Sequence, residues 1–185
     1  MSALLKELPL FKMKKFFTFI IFITFSTSSF SGSHHSHGHK KNKEIDHDYK
    51  IGKIEIEKPY TFFTPNGAKV SAGYMKIENY SNKQDVLQSV SNVSFADKVE
   101  IHEMTMENQV MKMRPLKKGV VIKADSELYL KPSGYHIMFI GLKEQIFKGK
   151  EYKATLNFKN AGSVDIFFKA VGRNYHPDKN HHKHH

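Results

Sequence analysis

The chain has 185 residues, a formal net charge of +11 and no cysteine. Its hydrophobic fraction of 39% suits one domain with a real core and excludes a wholly disordered chain. The lack of cysteine excludes a blue-copper site, a thioredoxin-like motif and a cysteine nucleophile.

The N-terminus has the composition of an export signal. Residues 12–15 carry three lysines, residues 16–25 form an apolar run of ten, and small residues lead to a cleavage position after Ser31. We therefore predict a signal peptide at residues 1–31, export to a Gram-negative periplasm, and no stable membrane insertion after cleavage. The alternative is an uncleaved anchor, although a membrane span needs about 20 apolar residues.

The next segments divide into a leader, a domain and a tail. Residues 32–49 are polar and histidine-rich, which predicts a flexible leader, and residues 174–185 predict a similar flexible tail. Residues 50–173 form the folded domain, where alternating apolar and polar residues predict strands. The predicted strands are Ile51–Glu57, Tyr74–Glu78, Val99–Met104, Val120–Lys123, Glu127–Leu130, His136–Ile140, Tyr152–Phe158 and Val164–Lys169. Many short strands without an amphipathic helix indicate a single all-β domain, either a β-sandwich or a barrel.

Histidine and methionine are distributed unevenly in this domain. Of the 12 histidines in the chain, only His102 and His136 fall within residues 50–173. Both stand near methionines, five of which lie in a short stretch of the domain. These five are Met104, Met106, Met111, Met113 and Met138.

Strand geometry places some of these side chains together. Residues i and i+2 share a face of a strand, so His136 neighbours Met138, and Met111 neighbours Met113. Two such strands meeting at one end of a sandwich would offer two imidazoles and two thioethers to one ion. Thioether sulfur is soft and uncharged, which favours Cu(I), and a neutral imidazole adds affinity.

The spacing leaves the methionine ligands undecided. Met104, Met106 and Met111 are candidate accessory ligands, whereas Met75 is expected in the core. The simpler interpretation is that methionines fill the core and that the histidines are ordinary satisfied residues.

Four stretches of the domain resemble the PCuAC family of periplasmic copper chaperones. Residues 66–74 resemble its Pro-Gly-Ala segment, which leads to a tyrosine-containing strand. Val-Glu-Ile-His-Glu at 99–103 is similar to its Val-Glu-Leu-His-Glu, and Val-Met-Lys-Met-Arg-Pro at 110–115 is similar to its Val-Met-x-Met-Arg-Pro. Residues 131–138 are similar to its Lys-Pro-Gly-Gly-Tyr-His-x-Met, with Ser133 in place of the first glycine.

The resemblance implies a fold, a ligand set and a partner. It implies a cupredoxin-like Greek-key β-sandwich that binds Cu(I) through His102, Met113, His136 and Met138 and passes the ion on. Met113 lies one residue further from His136 than in the family motif, and the loop near Lys117 would absorb the difference. Implied recipients are a cytochrome c oxidase subunit or a Sco-type thiol protein.

The histidines outside the domain suggest a second metal role. Clustered imidazoles bind divalent ions, Cu(II) most tightly, so we expect the two segments to gather Cu(II). The candidate ligands are His34, His35, His37, His39, His176, His181, His182, His184 and His185. The alternative for the C-terminal group is a cloning tag.

Three function classes follow from these features. A copper chaperone without catalysis fits best. A copper oxidoreductase is disfavoured because no Ser-His-Asp arrangement, glycine-rich phosphate loop or carboxylate–histidine set is evident in the sequence. The alternative is an envelope β-sandwich interaction protein whose histidine tails buffer divalent metals. Only two of the 29 basic residues are arginine, and an exported protein does not meet nucleic acid, so no nucleic-acid partner is expected.

Overall fold

The computed structural model describes residues 48–177, and all structural statements below concern this range. The predicted signal peptide lies outside it, as do nearly all of the histidine-rich leader and most of the tail. Within the described range, no helix has both the length and the apolar character needed to cross a membrane.

Strands dominate the described part of the chain. They are β1 (Tyr49–Ile51), β2 (Ile54–Phe62), β3 (Val70–Asn79), β4 (Asp85–Ser91), β5 (Ala96–Glu107), β6 (Val110–Pro115), β7 (Val120–Ile122), β8 (Ser126–Leu130), β9 (His136–Leu142), β10 (Glu151–Phe158) and β11 (Gly162–Val171). Hydrogen bonds connect them in the order β6-β5-β9-β3-β2-β11-β10-β4-β7, and β1 pairs with β2 while β8 pairs with β3. The β2–β11 pairing is parallel, and the other strand pairings are antiparallel.

One hydrophobic core holds these strands together. It takes side chains from every strand of the hydrogen-bonded path except β6, so the sheet folds over on itself around a shared interior. Phe139 of β9 and Phe168 of β11 are fully buried there, with ring centroids 5.4 Å apart. Gly73 makes this contact possible, because a Cβ at that position would lie 2.8 Å from the Phe168 ring.

Strand β2 changes partners along its length. Strand β3 pairs with β2 on both sides of the register shift, whereas the other edge of β2 pairs with β1 in its first half and with β11 at its last residues. The register shifts between Glu57 and Tyr60, where Lys58 has a φ of 46° and Pro59 offers no N–H to the ladder. Through this β-bulge, β2 connects the strands on the β3 side of the sheet with those on the β11 side.

The all-β prediction is confirmed, but strands β1, β4 and β6 were not predicted. The predicted strand Ile51–Glu57 is wrong at its start, because Gly52 and Lys53 turn the chain between β1 and β2. Strand β4 was missed because its buried residues Leu87 and Val90 are three apart, which breaks the period of two. Strand β6 has no buried residue and therefore no hydrophobic alternation.

The predicted domain limits also shift slightly at both ends. Tyr49, assigned to the leader, pairs with Ile56 in β1–β2. Tyr175, assigned to the flexible tail, packs on Tyr60 with a centroid separation of 5.0 Å. The residues that contact the domain therefore extend from Tyr49 to at least Tyr175.

Acid should destabilise the domain through Glu78. Hydrogen bonds from Lys76 and Tyr80 lower the pKa of this carboxyl to about 2, from an ordinary value of 4.5. Ionised Glu78 therefore stabilises the fold above pH 4.5, and this stabilisation is lost as the pH falls from 4.5 to about 2. Glu57, which also contacts Lys76, has its pKa raised by burial, so its protonation does not add to this loss of stability.

Urea unfolding between pH 7 and pH 2 would measure this effect. We expect Glu78→Gln to flatten the loss of stability below pH 4.5. Glu127→Gln is the control, since Glu127 is more exposed and lies 3.7 Å from Lys76. Identical pH profiles for the wild type and Glu78→Gln would contradict the assignment.

Candidate metal centre

Strands β5 and β9 bring the two domain histidines side by side. His102 and His136 are direct cross-strand partners, and Glu100 is paired in the same way with Met138. Neighbouring residues Ile101 and Ile137 point into the core, so His102, His136 and Met138 lie on the opposite face of the sheet. We call this face, carried by β3, β9, β5 and β6, the outer face.

The β5–β6 hairpin adds the fourth predicted ligand to the outer face. Met104 is paired with Met113, one row beyond His102. Asn108 and Gln109, at the turn, have φ values of 50° and 64°, and positive φ at both central residues is typical of a type I′ hairpin. This tight turn sets the register and thereby places Met113 on the same face as the histidines.

The predicted ligands therefore lie on three adjacent strands. The histidine pair forms the middle row, Met138 lies one row to one side, and Met113 lies one row to the other. Rows on one face are separated by about 6.6 Å along the strand, a distance that unbranched methionine side chains can bridge. Both histidines are buried although they lie on the outer face: His102 is 7% exposed and His136 is 4% exposed.

His102 presents an unpartnered nitrogen. Its Nε2–H donates to Glu100 Oε2 at 2.8 Å, since a carboxylate can only accept. Its Nδ1 is buried and has no hydrogen-bond partner. A buried polar atom of this kind ordinarily costs stability, and a metal ion that accepts its lone pair would remove the cost.

His136 is oriented by the backbone. Its Nδ1–H donates to the Gly134 carbonyl oxygen at 3.0 Å, which leaves the Nε2 lone pair for another partner. Burial lowers the pKa of His136, the Gly134 bond opposes this, and the nearby His102 ring lowers it further. The net effect favours the neutral imidazole, which is the form that binds metals.

The separation of the two rings fits a shared ion. An imidazole nitrogen lies about 2.0 Å from a first-row metal, so each ring centre is roughly 3 Å from the ion and the two centres are at most about 6 Å apart. The observed centroid separation is 5.7 Å. No group of three or more His, Asp or Glu side chains suited to a metal occurs within residues 48–177, and the soft metal-binding side chains on this face are methionines.

Glu100 is a positioning residue that the sequence analysis missed. It fixes the His102 ring through Nε2 and is itself held by Lys98 at 2.7 Å. The bonds from Lys98 and His102 lower the pKa of Glu100, so it is an anion beside the ring. The alternation of β5 could have identified it, because Glu100 lies two residues before His102 and shares its face.

Removal of the Glu100 carboxylate should weaken metal binding. Partners that orient a ligating histidine are typically worth 10–100-fold in affinity, so we expect Glu100→Ala to raise the Cu(I) dissociation constant by about that factor. The control is Glu103→Ala, which removes a carboxylate from the opposite face of the same strand, where Glu103 pairs with Arg114 at 3.0 Å. Competition with a coloured Cu(I) chelator measures both, and equal effects would contradict the assigned role.

An aromatic cluster adjoins the histidine pair. Tyr60, Tyr74 and Val171 are buried together, and Phe62 and Tyr175 pack against them. Tyr74 shares the outer face, because Ala72, two residues earlier on β3, is the partner of Met138. These rings therefore cover the outer face next to β9.

The remaining candidate ligands divide into two groups. Met104, Met106 and Met111 lie on the outer face of the hairpin, beside or beyond Met113. Met75 is 3% exposed and belongs to the core, as predicted. Of the tail histidines, His176 is exposed and the others lie outside residues 48–177.

Known proteins are similar to this chain in sequence and in architecture. Residues 54–170 match the family described as LpqE-like lipoproteins. The chain is 27% identical over 114 residues to Lxx21020 of Leifsonia xyli subsp. xyli (strain CTCB07), a protein named as a lipoprotein. That alignment covers 59% of this chain and 68% of the relative.

Two solved structures show the same fold. The copper-bound PCuAC domain from PmoF2 superposes with a TM-score of 0.58 at 23% identity, over 68% of this chain and 98% of that one. The Cu(I) form of DR1885 from Deinococcus radiodurans superposes with a TM-score of 0.51 at 20% identity, over 69% of this chain and 82% of that one. The predicted cupredoxin-like Greek-key β-sandwich is thereby confirmed.

Proposed function

We propose that this chain, which belongs to the LpqE-like lipoprotein family, is an exported copper chaperone that binds one Cu(I) ion at the His102–His136 pair. The observation that carries the proposal is the buried, unpartnered Nδ1 of His102 beside the ring of His136, on a face that also carries methionines. Two solved structures of the same fold are described as containing copper, which supports the choice of metal.

The proposed ligands are His102, Met113, His136 and Met138. His102 would bind through Nδ1 and His136 through Nε2, since their other nitrogens are engaged by Glu100 and Gly134. Met138 and Met113 would supply thioethers from the rows on either side. All four groups are neutral, so the site prefers a soft monovalent ion over Zn(II) or Mg(II).

The positions of the ligands suggest how the ion is held and released. The histidine pair is buried and anchored by hydrogen bonds, so it provides the fixed part of the site. Met113 lies on β6 with 48% of the residue exposed, so a partner could reach the ion from that side. Thioethers carry no proton, so the release of the ion by Met113 needs no proton from this chain and no electron transfer.

The recipient is proposed to be a copper-accepting protein of the envelope, such as a cytochrome c oxidase subunit or a Sco-type thiol protein. A thiolate binds Cu(I) more strongly than a thioether, so transfer toward a thiol partner would be downhill. The histidine-rich segments at residues 32–49 and 174–185 are proposed to gather Cu(II) around the domain. No enzymatic activity is proposed.

Copper-edge X-ray absorption of the Cu(I)-loaded full chain tests the function. We expect one tightly bound ion with both nitrogen and sulfur neighbours, the sulfur at about 2.3 Å. The histidine-rich segments at residues 32–49 and 174–185 contain no methionine, so an ion held only by these segments would show no sulfur neighbours. A spectrum with nitrogen neighbours only would overturn the chaperone site and favour the alternative, an envelope interaction protein whose tails buffer metals.

A further inference from the structure

The outer end of the β5–β6 hairpin exposes a ladder of methionines. Met104 pairs with Met113, and Met106 pairs with Met111 in the next row toward the turn. Met106 is 64% exposed, Met113 is 48% exposed and Met111 is 43% exposed. We call the three that the proposed core site does not use, Met104, Met106 and Met111, the hairpin methionines.

The opposite face of this hairpin is ionic. Arg114 bonds Glu103 at 3.0 Å, and Lys112 bonds Glu107 at 2.9 Å. Neither face of the outer hairpin is therefore packed into the core. Core packing explains Met75, but it does not explain the exposed Met106 and Met111 or the half-buried Met104 beside them.

The register brings the three sulfur atoms within reach of one another. Directly opposed residues on an antiparallel pair have Cβ atoms about 5 Å apart, which applies to Met106 and Met111. Met104 is one row away on the same strand, at about 6.6 Å, and its flexible side chain can lean toward that pair. Soft ions such as Cu(I) accept a set of three thioethers.

We propose that the hairpin methionines form a second Cu(I) site, made only of thioethers and reached from solvent. It lacks imidazole, so it binds Cu(I) more weakly than the His102–His136 site. Met106 and Met111 lie one row beyond Met113, so this second site lies between that site and the exposed tip of the hairpin. The inference uses different ligands from the proposed function, although its role as an entry or exit position for copper rests on that function.

The position of Met104 links the two sites. It is the direct partner of Met113, so an ion held by the hairpin methionines lies one ligand exchange away from the core set. Every donor along this path is a neutral thioether until the histidines are reached. Movement of the ion therefore changes neither its charge nor the protonation of its ligands.

Methionine-methyl NMR of the full chain, labelled at Cε and titrated with Ag(I) as a non-oxidising probe for Cu(I), tests the proposal. We expect the Met113 and Met138 signals to shift first and the signals of the hairpin methionines to shift later, as more Ag(I) is added. The buried Met75 is an internal control that should not shift. Silver bound to the histidine tails is not seen, because residues 174–185 contain no methionine.

A matched variant separates this site from the core site. Met106→Leu combined with Met111→Leu keeps the exposed apolar surface and removes two sulfurs, so the Met104 shift should be lost while those of Met113 and Met138 stay. Unchanged Met106 and Met111 signals at saturating Ag(I) in the wild type would overturn the second site. Shifts of the hairpin methionines without shifts of Met113 and Met138 would instead overturn the core site and leave the second site standing.

Discussion

Replacement of His102 or His136 with glutamine is expected to weaken Cu(I) binding by more than about 100-fold. Each histidine would supply a direct ligand, and even a group that only orients such a ligand is typically worth 10–100-fold. Glutamine fills a similar space and keeps a polar group, but its amide oxygen is a hard donor that Cu(I) binds poorly. The loss should be seen in chelator competition under reducing conditions.

The matched control is His176→Gln. His176 is exposed and lies in the C-terminal segment, so its loss removes one histidine without touching the sheet. Circular dichroism of all three variants checks that the strands are intact. If His176→Gln weakened Cu(I) binding as much as His102→Gln, the ion would be held outside the domain and the proposed site would be wrong.

Phe139→Ala is expected to destabilise the domain by about 3–5 kcal/mol, the usual range for truncation of a buried phenylalanine. Phe139 is completely buried, and its ring contacts Phe95 at a centroid distance of 4.9 Å and Phe168 at 5.4 Å. Domains of ordinary stability unfold at a cost of only about 5–15 kcal/mol, so this variant would be marginal. Equilibrium urea unfolding gives the difference.

Phe167→Ala provides the comparison for this prediction. Phe167 precedes the buried Phe168 on β11, but it faces outward and is 40% exposed, so its truncation should cost less than about 1 kcal/mol. Phe139 also lies next to Met138 on β9, so Phe139→Ala should lower copper occupancy near its unfolding midpoint. Equal losses of stability for the two variants would show that the core is placed wrongly.

The local pattern of the chain was enough to find the candidate site. The resemblance to the PCuAC family is confirmed, and it rests on short stretches whose residues are close in sequence. Strand alternation predicted that His136 shares a face with Met138 and that Met111 shares a face with Met113, and the register agrees with both. Met75 lies in the core, as expected. Alternation is a local property, because successive side chains on a strand point to opposite faces whatever the partner strand is.

Alternation failed where a strand lacks one regular buried face. Strand β4 is interrupted near a register shift between Asn157 and Phe158 of its partner β10. Strand β6 is exposed on both faces, so its sequence shows no preference for an interior. These elements are strands because of hydrogen bonds to distant partners, and such bonds leave little trace in a single sequence.

The sequence by itself determined that the domain is all-β, that two histidines stand among methionines, and that soft-metal chemistry suits them. Only the tertiary structure decided that His102 pairs directly with His136, that Glu100 holds the His102 ring, and that Met104 and Met106 face Met113 and Met111. The reason is that residue spacing sets the face of each side chain, whereas cross-strand register depends on turns and on hydrogen bonds between distant segments.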